Sequence, residues 1–119
     1  MAASLQLNKT RILNLLGGDE ELFVSMAQIF LEEADTYCHD LEAALSAADP
    51  VALRRGAHTM KSLLASFADD EGSQLAQFLE QQAKAGSSET LPALREPVGQ
   101  LTDRIRQLCA VLRQQPGVV

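Results

Sequence analysis

Seven apolar residues near the end of the chain recur three or four positions apart: Leu91, Leu94, Val98, Leu101, Ile105, Leu108 and Leu112. That spacing returns every side chain to one stripe of a helix with about 3.6 residues per turn, and to no single face of a strand. Leu53, Ala57, Met60, Leu64 and Phe67 form a second such stripe. A chain that repeats this pattern is restricted to packing helix on helix.

The helix ends are equally legible. Asn8 is placed to cap a short helix over Lys9 to Leu16, stopped by Gly17 and Gly18. Asp19, Glu20 and Glu21 then open a long helix, with Leu22, Met26, Ile29, Phe30, Tyr37, Leu41 and Leu45 as its expected apolar face. Asp49-Pro50 restarts the chain as cap and first helical residue. Asp69, Asp70, Glu71 and Gly72 interrupt the second stripe, and Leu75, Phe78, Leu79 and Gln82 mark a fourth segment ending near Gly86. Thr90 is the expected cap of the last helix, with Pro92 in its first turn. Pro97 and Gly99, inside the stripe, predict a kink or a delayed helix start. The fold expected is all-α: an antiparallel up-down-up-down four-helix bundle over 19–114, with a segment carrying a short extra helix over 1–18 and a tail over 115–119.

Composition supports this. Leu and Ala number 36 against 14 for Val, Ile and Thr, an excess of helix formers over strand formers. The net charge of −6 gives no electrostatic footing for nucleic acid. No apolar run has the length of a membrane span, Met1 to Asn8 lacks the pattern of a secretory signal, and the acidic helix would be repelled by anionic lipid, so no direct membrane contact is expected. Cys38 and Cys109 have no metal-ligand spacing and are expected as free thiols in the cytoplasm.

The charge is unevenly divided. Residues 19–49 hold nine acids and no Lys or Arg, while residues 50–68 hold Arg54, Arg55 and Lys61 and no acid. On the helix carrying the second stripe, the positions outside it are Arg54, Arg55, His58, Lys61, Ser62 and Ala65, neighbours three, four and seven residues from His58. Cations around an imidazole disfavour a further positive charge, keep the ring a neutral nucleophile, and attract an anion such as phosphate. The small side chains leave room for close approach of a partner. No acid on that helix face orients the ring, so the remaining chemistry is expected from the partner.

Ala57-His58-Thr59-Met60-Lys61-Ser62 resembles the core motif Ala-His-x-Leu-Lys-Gly of the histidine phosphotransfer (HPt) domains of bacterial multistep phosphorelays. The lead-in Asp49 to Arg55 and the segment Leu75 to Glu80, with its Leu-Glu pair, are also similar, and the resemblance spans roughly 20–113. Ser62 and Ala68 stand where the family commonly has glycine. The resemblance implies that His58 accepts a phosphoryl group from the aspartate of a response-regulator receiver domain and passes it to another receiver, with Lys61 as a nearby cation. It implies a phosphocarrier rather than an enzyme, with Mg²⁺ and an assisting lysine on the receiver and no cofactor of its own. A hybrid sensor histidine kinase is a further implied partner, and a monomer the expected state.

Register arithmetic on antiparallel helices puts His58 about level with Tyr37 on one neighbour and Gln81 on the other. The expected docking rim is therefore Arg54, Arg55, Ser62, Leu63, Ala65, Tyr37, Gln77 and Gln81, with Ala34 and Cys38 nearby. Two other readings compete. One is a bundle that binds a receiver or kinase without accepting phosphate. The other is a metal-binding bundle using Glu32, Asp35, His39 and Glu42, which supply only a fragment of the inward-facing ligand set that such sites need.

Overall fold

The computed structural model describes residues 5–118; the first four residues of the expected N-terminal segment and the last residue of the expected tail lie outside them. The elements are α1 (Lys9–Leu15), α2 (Glu20–Ser46), α3 (Pro50–Ser66), α4 (Asp70–Ala85), a 3₁₀ turn (Leu91–Leu94) and α5 (Arg95–Arg113). Helix α2 packs beside α3 and α5, α4 beside α3 and α5, which is the up-down-up-down ring.

The first four helices begin the same way. Asn8, Asp19, Asp49 and Asp69 each accept the backbone N–H three residues on, from Arg11, Leu22, Ala52 and Gly72, at 3.0–3.1 Å. At the last helix the expected cap is not made, whereas the expected delayed start is. Thr90 caps nothing; its hydroxyl bonds the N–H and the carbonyl of Ser87, and the 3₁₀ turn delays α5 until Arg95. Pro97 therefore falls in the first turn of α5, where its missing N–H costs no helical bond.

The stripes on α3 and α5 are buried as expected, but those on α2 and α4 lie elsewhere. On α2 the buried face is Phe23, Ala27, Phe30, Ala34, Cys38, Leu41 and Ala44, while Leu22 and Ile29 are exposed. On α4 it is Gly72, Ala76, Leu79 and Ala83, with Phe78 and Gln82 exposed. Weighting the large apolar residues rotated both faces by about one residue, roughly 100°. The core here is built on alanines, whose small side chains let the helices approach.

Close approach is most marked between α3 and α4. A Cβ on buried Gly72 would collide with the Asp69 carboxylate and stand 2.9 Å from Leu64 Cδ1. The Ser73 hydroxyl donates to the Lys61 carbonyl at 2.9 Å, tying the two helices directly. Asp69, buried at the α3–α4 turn, also receives the Arg104 guanidinium of α5 at 2.6–3.1 Å. On the outside of the same end, Arg11 of α1 forms a two-bond pair with Asp70 at 2.7 and 2.9 Å.

The two tight links share one geometry. Ala48 (φ 51°) and Ala68 (φ 58°) both occupy the left-handed region. The next N–H reaches back to close the helix end, Asp49 to Ala44 O and Asp69 to Leu64 O, each at 2.9 Å. This is the position glycine favours, and alanine holds it at both links here. No helix among the described residues is long and apolar enough to cross a membrane.

Candidate functional site

The outward face of α3 carries Val51, Arg54, Arg55, His58, Ser62 and Ala65, all exposed; the His58 side chain is 62% exposed. Its apolar stripe is anchored in the core, so this polar row has nowhere to face but outward. Val51 belongs to the row and extends it by about one turn beyond Arg54, a residue the charge-based reading passed over.

The structure corrects one expectation at the centre of the site. An acid does orient the ring, and it comes from α4. Glu80 Oε2 lies 2.6 Å from His58 Nδ1, and Glu80 Oε1 lies 2.6 Å from Lys61 Nζ. The Glu80 side chain is only 19% exposed. Lys61, donating to it, holds the Glu80 carboxyl below the usual carboxylate range against the opposing effect of burial, and His58 acts in the same direction as Lys61. An ionised carboxylate only accepts, so the proton of a neutral His58 ring sits on Nδ1 and the lone pair on Nε2. Lys61 is half-buried and spends one of its three donors on Glu80. The register arithmetic came within one residue of Glu80. What it lacked was the rotation of α4, which the misplaced stripe had turned away.

Arg54, Arg55, His58, Glu80 and Lys84 together line a hollow of about 300 Å³. Lys84 was not anticipated; it stands one turn after Glu80 on α4 and shares its side of the helix.

The expected rim divides. Arg54, Arg55, Ser62 and Ala65 share the exposed face of His58, and Gln77 and Gln81 are exposed on α4. Tyr37 is half-buried, stacked at a tilt on Phe30 with 5.8 Å between centroids, and lines a groove between α2 and α3 with Gly56, Thr59 and Met60. Burial and Glu33 push its hydroxyl pKa up. Leu63 is half-buried against the core and is not an exposed contact beside His58, because five residues along a helix turn it well away from the His58 face. Ala34 and Cys38 are buried and leave the rim altogether; Cys38 points its thiol at the Thr102 carbonyl of α5, 3.9 Å away. Glu32, Asp35, His39 and Glu42 are all exposed, and no group of three or more His, Cys, Asp or Glu among the described residues is placed to hold a metal ion.

Comparison with known proteins agrees with this geometry. The family model described as Hpt domain matches residues 25–115. The fold is similar to the HPT domain of a sensor hybrid histidine kinase from Shewanella, with a TM-score of 0.79 at 16% identity over 91% of each chain. It is also similar to histidine-containing phosphotransfer protein B from Pseudomonas aeruginosa PAO1, with a TM-score of 0.77 at 21% identity over 94% of this chain and 95% of that one. No curated protein matches the chain.

Proposed function

Because the chain belongs to the Hpt domain family, whose members carry phosphoryl groups on histidine in multistep phosphorelays, we propose that His58 is its phosphoacceptor and that its partners are receiver domains of response regulators. The observation that carries this reading is the Glu80 contact: a 2.6 Å bond at Nδ1 of an exposed histidine leaves Nε2 as the nucleophile facing solvent.

The phosphoryl group arrives as an acyl phosphate on a receiver aspartate. The Nε2 lone pair forms the N–P bond, the P–O bond to the aspartate breaks, and the carboxylate leaves with that electron pair. Nδ1 keeps its proton, so the ring becomes cationic, and the Glu80 carboxylate stands against the new charge. Reversal of the step onto a second receiver aspartate regenerates the neutral ring. Lys61 keeps Glu80 ionised and has two further donors that Glu80 does not use. A receiver's bound Mg²⁺ and assisting lysine would supply the neutralisation of the transferring group that this chain's residues do not. The domain is thus a phosphocarrier. Arg54, Arg55, Ser62, Ala65, Gln77 and Gln81 supply its docking rim, and two buried free thiols, Cys38 and Cys109, support a reducing, cytoplasmic setting.

The test is incubation with phosphorylated receivers from the source organism. Transfer to the wild-type chain that is lost in His58→Ala, with label that is acid-labile and base-stable, is the expected result. Binding without transfer from any receiver would overturn it in favour of a non-phosphorylated interaction module.

A further inference from the structure

We infer that Ser73 is a positioning residue for phosphoryl acceptance: its hydroxyl bond to the Lys61 carbonyl holds α4 on α3 at the register that brings Glu80 to His58. This rests on His58 being the acceptor.

The Ser73 hydroxyl behaves unlike the other helical hydroxyls. Thr59, Ser66 and Thr102 each donate to a carbonyl of their own helix, three or four residues back. Ser73 donates across to α3 at 2.9 Å, while the Asp69 carbonyl four residues before it takes the Ser73 N–H. Among the described residues, the side-chain hydrogen bonds that join α3 to α4 all involve Ser73 or Glu80 on the α4 side. Both residues hold Lys61, Ser73 by its carbonyl and Glu80 by its ammonium. Their seven-residue spacing puts them on one side of α4, about 10 Å apart along its axis.

The apolar seam fixes this register weakly. The α4 residues buried in it are Gly72, Ala76, Leu79 and Ala83, and only Leu79 extends beyond Cβ. Small side chains let the helices approach but form shallow ridges, which resist sliding less than large ones do. The Glu80 contacts join side-chain tips, so they depend on the register more than they set it. Ser73 reaches through one side-chain torsion to a backbone carbonyl, which cannot move without α3. It thus ties the helix of Glu80 to backbone three residues after His58. When α4 shifts, the flexible Lys61 stem follows Glu80 and the shorter imidazole does not, so the His58 contact is lost first. The ring proton is then free to move to Nε2, which removes the lone pair that attacks phosphorus.

Receiver-free labelling tests this. Phosphoramidate is the donor: Nε2 forms the N–P bond as the donor's own P–N bond breaks, and ammonia leaves with that electron pair. Labelling is followed by ³¹P NMR, and the ring tautomer by the nitrogen chemical shifts of neutral His58. Ser73→Ala is expected to stay folded, since alanine is the best helix former. It is expected to show mixed tautomers and to label roughly fivefold more slowly, about the bias that one neutral hydrogen bond exerts on such an equilibrium. Ser73→Thr keeps the hydroxyl and is expected to retain the wild-type tautomer and rate. A Ser73→Ala chain that is less stable, yet labels at the wild-type rate with the Nδ1–H tautomer, would make Ser73 a structural residue only and overturn the inference. Ser73→Thr behaving like Ser73→Ala would overturn it too, by showing that the hydroxyl is not what matters. Label on the wild-type chain no greater than on His58→Ala would instead overturn the acceptor assignment itself.

Discussion

His58 Nδ1 and Glu80 Oε2 are 2.6 Å apart although 22 residues separate them in the chain. The contact depends on α3 and α4 lying close, which in turn depends on Gly72 and on the Ser73–Lys61 bond at one end of the helix pair. The face around His58 is thus set in part by packing about two turns along α4 from Glu80.

Glu80→Gln keeps an acceptor for Nδ1–H but removes the charge and the Lys61 ion pair. Phosphoryl acceptance by His58 is expected to fall by roughly tenfold, with a modest loss of stability at neutral pH, since one charge-assisted bond becomes a neutral one. Nitrogen chemical shifts of the neutral His58 ring are expected to report the Nδ1–H tautomer in wild type and a mixture in Glu80→Ala. A wild-type ring already in mixed tautomers would refute the assignment.

Acid is expected to dismantle this contact. The Glu80 carboxyl titrates below its ordinary value, chiefly because Lys61 donates to it, so its contribution to stability is full above the unfolded-state carboxylate range and is lost as pH falls through the depressed folded value. Wild type is therefore expected to lose more stability across that acidic window than Glu80→Gln does. Urea midpoints measured from neutral to acidic pH check this; parallel curves for the two proteins would contradict it.

Ala48 and Ala68 hold left-handed backbone at a steric cost that glycine does not carry. Each of Ala48→Gly and Ala68→Gly is expected to stabilise the fold by roughly 0.5–1 kcal/mol after the larger unfolded-state entropy of glycine is subtracted. The two sites end different helices and share no partner, so chemical denaturation of the double variant should show near-additive gains.

Asp69, its side chain 2% exposed, pairs with the half-buried Arg104. Hydrogen bonding to Asp69 raises the Arg104 pKa further, so the guanidinium stays charged. Arg104→Ala strands a buried carboxylate and is expected to cost roughly 3 kcal/mol or more. Asp69→Ala adds the loss of the α4 cap and should cost at least as much. Urea unfolding of the two single variants and the double, which should be less destabilised than their sum, measures the coupling.

Gly72→Ala forces a methyl against the Asp69 carboxylate and Leu64. Overpacking of this kind is expected to cost roughly 1–3 kcal/mol. Because the same contact sets the α3–α4 spacing, phosphoryl acceptance should fall along with stability. An unchanged acceptance rate would show that Glu80 reaches His58 without that close approach.

Local sequence was enough for the helices, the caps at Asn8 and Asp49 and the exposed row around His58, because caps act within three residues and a 3–4 spacing specifies a face without reference to any neighbour. It misread the faces of α2 and α4, where alanine, equally at home on a surface, forms the core. Glu80 and Lys84 were the larger omission. Each is an unremarkable charged residue on a polar helix until α4 is turned against α3, and the rotation that brings them to His58 is decided by Gly72, Ala76 and Ala83, whose only signal is being small. The exposed histidine could be found along the chain because its helix displays it; the carboxylate beside it and the cations around it come together only where two helices meet, since their interaction depends on distance through space.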